Sequence, residues 1–156
     1  MVLCLTAAAG AQGPEPSQMA RAAGLQTLLP SDWMLSTTPD RLCHYETPRT
    51  WRSDQESALA WSADGRISIG VISVRIASWT SHKANLTSAL RPVRVLVDSA
   101  DRFWVESVDT DRHIDYVSVF AADVACDAEI EARQDIARLN VSIIHDIALG
   151  VSVASR

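Results

Sequence analysis

The sequence predicts an α+β domain in which helices pack on an antiparallel sheet meander, and three observations lead there. β-Branched or alternating runs follow one another through the second half of the chain, joined by turns too short for crossover helices. Helical signals are confined to the start, the middle and the end. The closing segment repeats Ile136, Leu139, Ile143 and Ile147 at helical spacing, which builds one apolar face able to cover a sheet. At 156 residues the chain has the length of one ordinary domain with a core of its own.

The elements follow in order. From Val2 to Ala9 there is no charge, and Ala9-Gly10-Ala11 is the small-x-small pattern that leader peptidases cut. Residues 1–11 therefore read as a signal-peptide remnant and Gln12 as the first mature residue. No Lys or Arg precedes Arg21, so the basic start of a complete signal is missing, and an apolar chain terminus is the alternative. Residues 12–27 form a proline-bearing joint and a short helix that Ser17 caps and Pro30 bounds, and the α+β domain spans 28–156. After Trp33, residues 37–53 are polar and punctuated by Pro39 and Pro48, the signature of a loop.

Residues 57–61 read as a short strand and 66–76 as a strongly β-branched one, with a hairpin across Asp64-Gly65. Thr80 or Ser81 caps a helix over 82–90, and Pro92 keeps it from running into a strand at 93–98. Turns at 98–101 and 109–112 join strands 102–108 and 113–120, and 124–132 supplies a further strand. Asp135 caps the closing helix.

Charge and hydropathy exclude several classes. A net charge of −5 disfavours a sequence-blind nucleic-acid binder, which needs a basic stripe to neutralise phosphates. No run of 18 apolar residues appears, so no transmembrane segment is expected. The acidic balance fits a basic protein partner. Of the three cysteines, cleavage after Ala11 removes Cys4 and leaves Cys43 and Cys126. In a periplasmic or extracellular setting these two pair as a disulfide, or else both are small buried thiols.

Leu29-Pro30-x-x-Trp33, the strand Arg102-Phe103-Trp104-Val105-Glu106 and the terminal amphipathic helix together resemble the PsbP-like superfamily, which includes Mog-type Ran-binding proteins. The likeness spans most of 28–152 in order of elements. It implies an α/β/α sandwich and a binding or accessory role without catalysis. One subset of that group neutralises secreted antibacterial effectors in the periplasm, as type VI secretion immunity proteins do. No binding motif of the superfamily matches here, so the resemblance carries over no site residue.

The sharpest local pattern is Cys126-Asp127-Ala128-Glu129-Ile130-Glu131, where strand alternation sends Asp127, Glu129 and Glu131 to one face and Cys126, Ala128 and Ile130 to the other. The functional reading is an acidic ladder that attracts a basic partner surface or a divalent cation; the bland one is the solvent face of an amphipathic strand. Asp109 and Asp111, near Asp115 and His113, are a second acidic candidate. Their turn lacks the sixth-position Gly and twelfth-position Glu of a calcium loop, so no metal is expected there. The four histidines have no zinc spacing, and Gly65-Arg66-Ile67-Ser68-Ile69-Gly70 is not a nucleophile elbow, so no catalytic residue and no cofactor is assigned.

Of five tryptophans, Trp33 and Trp104 sit among apolar neighbours, and Trp51, in the polar loop, is the candidate anchor for a partner. The resulting expectation is a secreted, non-catalytic protein-binding module, in its specific form an immunity factor that occludes an antibacterial effector. A carboxylate- or metal-dependent hydrolase built on Asp109, Asp111 and His113 is the alternative from another class, and an accessory subunit of a cell-envelope complex is a third.

Overall fold

In the computed structural model, which describes residues 32–90 and 92–154, the alternating and β-branched runs become two antiparallel sheets. The expected signal remnant at 1–11 and the joint and helix at 12–27 lie outside the described residues. The chain order is β1 (Trp33–Thr37), β2 (Cys43–Pro48), β3 (Arg52–Asp54), β4 (Leu59–Trp61), β5 (Ile67–Arg75), α1 (Trp79–Leu90), β6 (Arg94–Asp98), β7 (Arg102–Asp109), β8 (Arg112–Ala121), β9 (Val124–Arg133), α2 (Gln134–Leu139), α3 (Val141–Leu149) and β10 (Ser152–Val153). The large sheet runs β3-β4-β5-β9-β8-β7-β6, and β1, β2 and β10 form a small one. Gly65 makes the β4–β5 turn at φ 70°, a left-handed conformation that glycine adopts without steric cost.

Strand alternation divides the large sheet into two faces. On the first, Cys126, Ala128, Ile130 and Ala132 of β9 join Ile69, Val71 and Val117 in a core closed by Tyr45 from the small sheet and by Ile144 and Ile147 from α3. Cys43 and Cys126 are disulfide-bonded across this core, with Cα atoms 5.7 Å apart, so the sequence expectation of a pair holds and joins the two sheets. The second face is covered by α1 over β6, β7 and β8. That helix has no buried residue of its own and is held by polar contacts: Trp79 Nε1 to the Ser99 carbonyl at 3.3 Å, Lys83 to Asp98, and Ser107 Oγ to the Leu90 carbonyl at 2.8 Å. Trp79 also stacks on Phe120 with ring centroids 5.4 Å apart.

In the Arg102-to-Glu106 segment the first four positions have distinct physical roles. The Arg102 guanidinium donates to the carbonyls of Ala148 at 2.8 Å and Val151 at 3.0 Å, which satisfies the open C-terminal end of α3. Burial holds its pKa below the ordinary guanidinium value. Phe103 and Val105 are buried on the α1 face, while Trp104 belongs to the core on the other.

Four expectations are corrected. Residues 37–53 are not mainly loop: β2 and β3 lie there, and Tyr45, Glu46 and Thr47 are buried, because β2 is wedged between β1 and β10. The helix over 82–90 begins earlier, at Trp79, because Ser78 Oγ accepts from the Ser81 amide at 3.2 Å and caps it. The closing helix is two helices, broken at Asn140, whose side-chain amide donates to the Ile136 carbonyl at 2.8 Å. The break leaves Leu139 82% exposed and replaces it in the apolar face by Ile144. Asp135 sits in the first turn of α2 rather than at its cap, and pairs with Arg133 at 3.1 Å.

Candidate functional site: an acidic groove on the open sheet face

α1 covers only half of its face, and the other half, β4, β5 and β9, forms an open groove. Its centre is one rung of the ladder: Leu59 pairs with Gly70, Gly70 with Glu129 and Glu129 with Tyr116, so all four residues point to the same side. Gly70 makes the floor, since a Cβ there would meet Leu59 Cδ2 at 3.0 Å. Ile72, Asp127 and Glu131 complete a groove of about 360 Å³. Leu59 and Ile72 are 42% and 60% exposed, so apolar surface stands in water beside carboxylates.

The three carboxylates of the predicted ladder are not equivalent. Asp127 is buried, and its Oδ1 accepts from Ser118 Oγ at 2.5 Å and lies 3.1 Å from His82 Nε2 on α1. Glu131 is half-buried and ion-paired with Arg112. Glu129 alone is exposed and has no hydrogen-bond or ion-pair partner among the described residues. Tyr116, beside it, is pushed well above the ordinary phenol range by burial and by the charge of Asp127.

One rung further along, the face changes sign. Arg66, Arg112 and Arg133 line an adjoining cavity of about 550 Å³ together with Glu131 and Asp135. Each arginine has an acidic partner: Arg66 with Asp64 at 3.5 Å, Arg112 with Glu131, and Arg133 with Asp135 at 3.1 Å. The face as a whole is acidic at its middle and mixed in charge at its end.

The other sequence candidates separate. Trp51 is half-buried against the core and lines a small cavity with Ile136 and Ile143, so it is not a free anchor. Asp109 and Asp111 are exposed at the β7–β8 turn, where Asp109 stands across from Arg112 in the strand register. His113 points to the opposite face from Asp109, with Nε2 2.7 Å from Asp115 Oδ2, so the Asp109–Asp111–His113 pocket required for the hydrolase does not assemble. The residues that sequence reasoning missed are Leu59, Gly70, Ile72 and Tyr116. A glycine inside an otherwise β-branched strand was the available signal, because it marks a strand where something approaches closely.

The fold and the site define a class: a two-sheet α+β sandwich with one open, acidic, partly apolar face. The particular architecture is PsbP-like. The chain is similar to the solution structure of cyanobacterial PsbP (CyanoP) from Synechocystis sp. PCC 6803, with a TM-score of 0.57 and 10% identity over 81% of this chain and 95% of that one. It is also similar to the crystal structure of the Saccharomyces cerevisiae Ran-binding protein Mog1p, with a TM-score of 0.49 and 9% identity over 78% of this chain and 95% of that one. No family model and no curated protein matches the chain. Among the described residues no helix is long and apolar enough to cross a membrane.

Proposed function

We propose that this chain is a non-catalytic protein-binding module of an oxidising compartment, and that its groove takes a basic, apolar-flanked segment of a partner. The observation that carries this is Glu129: an exposed, unpartnered carboxylate on the rung between Leu59 and Tyr116, over the floor that Gly70 leaves open. A Lys or Arg side chain has the matching chemistry, because its aliphatic stem lies along apolar surface while its charged head meets a carboxylate. The disulfide supports the compartment, since such bonds persist where thiols are not kept reduced. In its specific form the proposal makes the partner a secreted antibacterial effector that this chain occludes.

The test is a photo-cross-linking residue at position 72, with a second at Thr87 on the exposed surface of α1 as control. The expected result is an adduct with one protein from position 72 that weakens in the Glu129→Ser variant and strengthens at low ionic strength. Equal adducts from both positions, or no response to Glu129→Ser, would remove the groove from the mechanism. Co-expression with the captured partner then tests the immunity form: relief of its toxicity supports it, and unrelieved toxicity overturns it.

A further inference from the structure

On the core-side face of the large sheet, opposite the groove, Glu106, His113 and Asp115 bring one ligand atom each to within 4.8 Å of the others. The pairing explains why. Glu106 stands directly across from Asp115 on β7 and β8, and His113 precedes Asp115 by two residues, which puts all three side chains on one face. We propose that these residues form a binding site for a divalent transition-metal ion of the zinc type. One imidazole nitrogen with two carboxylates is suited to such ions, and three protein ligands leave a coordination position for water or an external ligand. Calcium fits poorly, because it takes six to eight oxygens and this cluster includes a nitrogen.

The surroundings resemble the support that metal ligands receive. Asp115 is fully buried, and Trp104 Nε1 donates to its Oδ1 at 2.7 Å, which fixes the carboxylate and directs Oδ2 to His113. Against the same indole, at 4.9 Å between ring centroids, lies His145, whose Nε2 is buried without a hydrogen-bond partner among the described residues. His145 therefore packs on the indole that holds Asp115, and is not itself one of the three ligands. Arg94 is the competing cation: its guanidinium bonds Glu106 at 2.7 Å, and its side chain is 58% exposed and able to swing into solvent. An incoming ion replaces this pair and the His113–Asp115 hydrogen bond together.

The experiment is calorimetric titration of chelator-treated protein with Zn²⁺, repeated with Ca²⁺, and with Co²⁺ for the visible absorption of a nitrogen-ligated ion. One equivalent of Zn²⁺ is expected, with weaker binding of Ca²⁺. His113→Ala and Glu106→Gln, both at partly exposed positions, weaken Zn²⁺ binding by about tenfold or more. Arg94→Gln tightens it, and Asp111→Ser, an exposed acid of the nearby turn, leaves it unchanged. Absence of binding by the folded wild type, equal binding by His113→Ala and Glu106→Gln, or equal preference for Ca²⁺ overturns the proposal. Because the site lies on the other face of the sheet, its failure leaves the groove reading intact.

Discussion

His82 Nε2 lies 3.1 Å from Asp127 Oδ1, and the same oxygen accepts from Ser118 Oγ, so one buried carboxylate ties α1 to the two central strands. The side chains of His82 and Asp127 are only 13% and 4% exposed, and solvent screens the contact little. Removing His82 takes one hydrogen-bond partner from a buried carboxylate and leaves it Ser118 Oγ. His82→Ala should therefore destabilise the fold by about 2 to 3 kcal/mol, read from urea unfolding. Glu129→Ser, on the same strand face, should leave the urea midpoint where it is. Equal effects would mean that Asp127 is a solvated rung like its neighbour.

Gly70 separates groove from fold. The Cβ of a larger residue meets only the end of the exposed, flexible Leu59 side chain at 3.0 Å, which can rotate away, and the backbone there is not left-handed. Gly70→Val should change stability by no more than about 1 kcal/mol, since valine suits a strand better than glycine. It should nevertheless fill the floor between Leu59 and Glu129 and abolish capture from position 72. Retained capture by a folded Gly70→Val protein would move the contact elsewhere.

What could be read from the chain, and what could not, follows one physical division. Strands β5 to β9 were legible because each has β-branched or alternating residues and a tight turn, which are local signals. β2 was not, since Cys43-His44-Tyr45-Glu46-Thr47-Pro48 buries polar side chains between β1 and a β10 that arrives from the far end of the chain. The ladder of Asp127, Glu129 and Glu131 was legible as a face, but its division was not. Whether a carboxylate on that face is buried or free depends on where α1 lies, and the α1 side chain that reaches the ladder is His82, on Asp127. Trp51 shows the same limit: its polar neighbours in sequence suggested exposure, whereas its neighbours in space are Ile136 and Ile143.

Both of the chain's tyrosines should titrate late. Burial raises Tyr45 above the ordinary value of 10.0, and burial together with Asp127 raises Tyr116 further. The folded state then holds these protons after the unfolded chain has lost them, so stability is full below pH 10.0 and falls as pH rises from there toward the folded-state values. Tyrosinate absorbance should therefore lag in native protein and appear together with unfolding, and Tyr116→Phe should reduce the alkaline loss of stability. Ordinary titration of both phenols in the folded state would contradict their burial.

The disulfide between Cys43 and Cys126 spans 83 positions and is the one covalent tie between β2 of the small sheet and β9 of the large one. In the chain-entropy account a loop of that length stabilises the fold by about 4 to 5 kcal/mol, a large share of the roughly 5 to 15 kcal/mol typical of a domain. Both cysteines are fully buried, so a reductant reaches the bond only after the sheets part. Reduction under native conditions should accordingly be slow and should accelerate in mild urea, with thiol release tracked by mass. The Cys43→Ala and Cys126→Ala double variant should unfold at clearly lower temperature and lower urea. Fast native-state reduction, or a double variant as stable as the wild type, would show that the two sheets are held by packing alone.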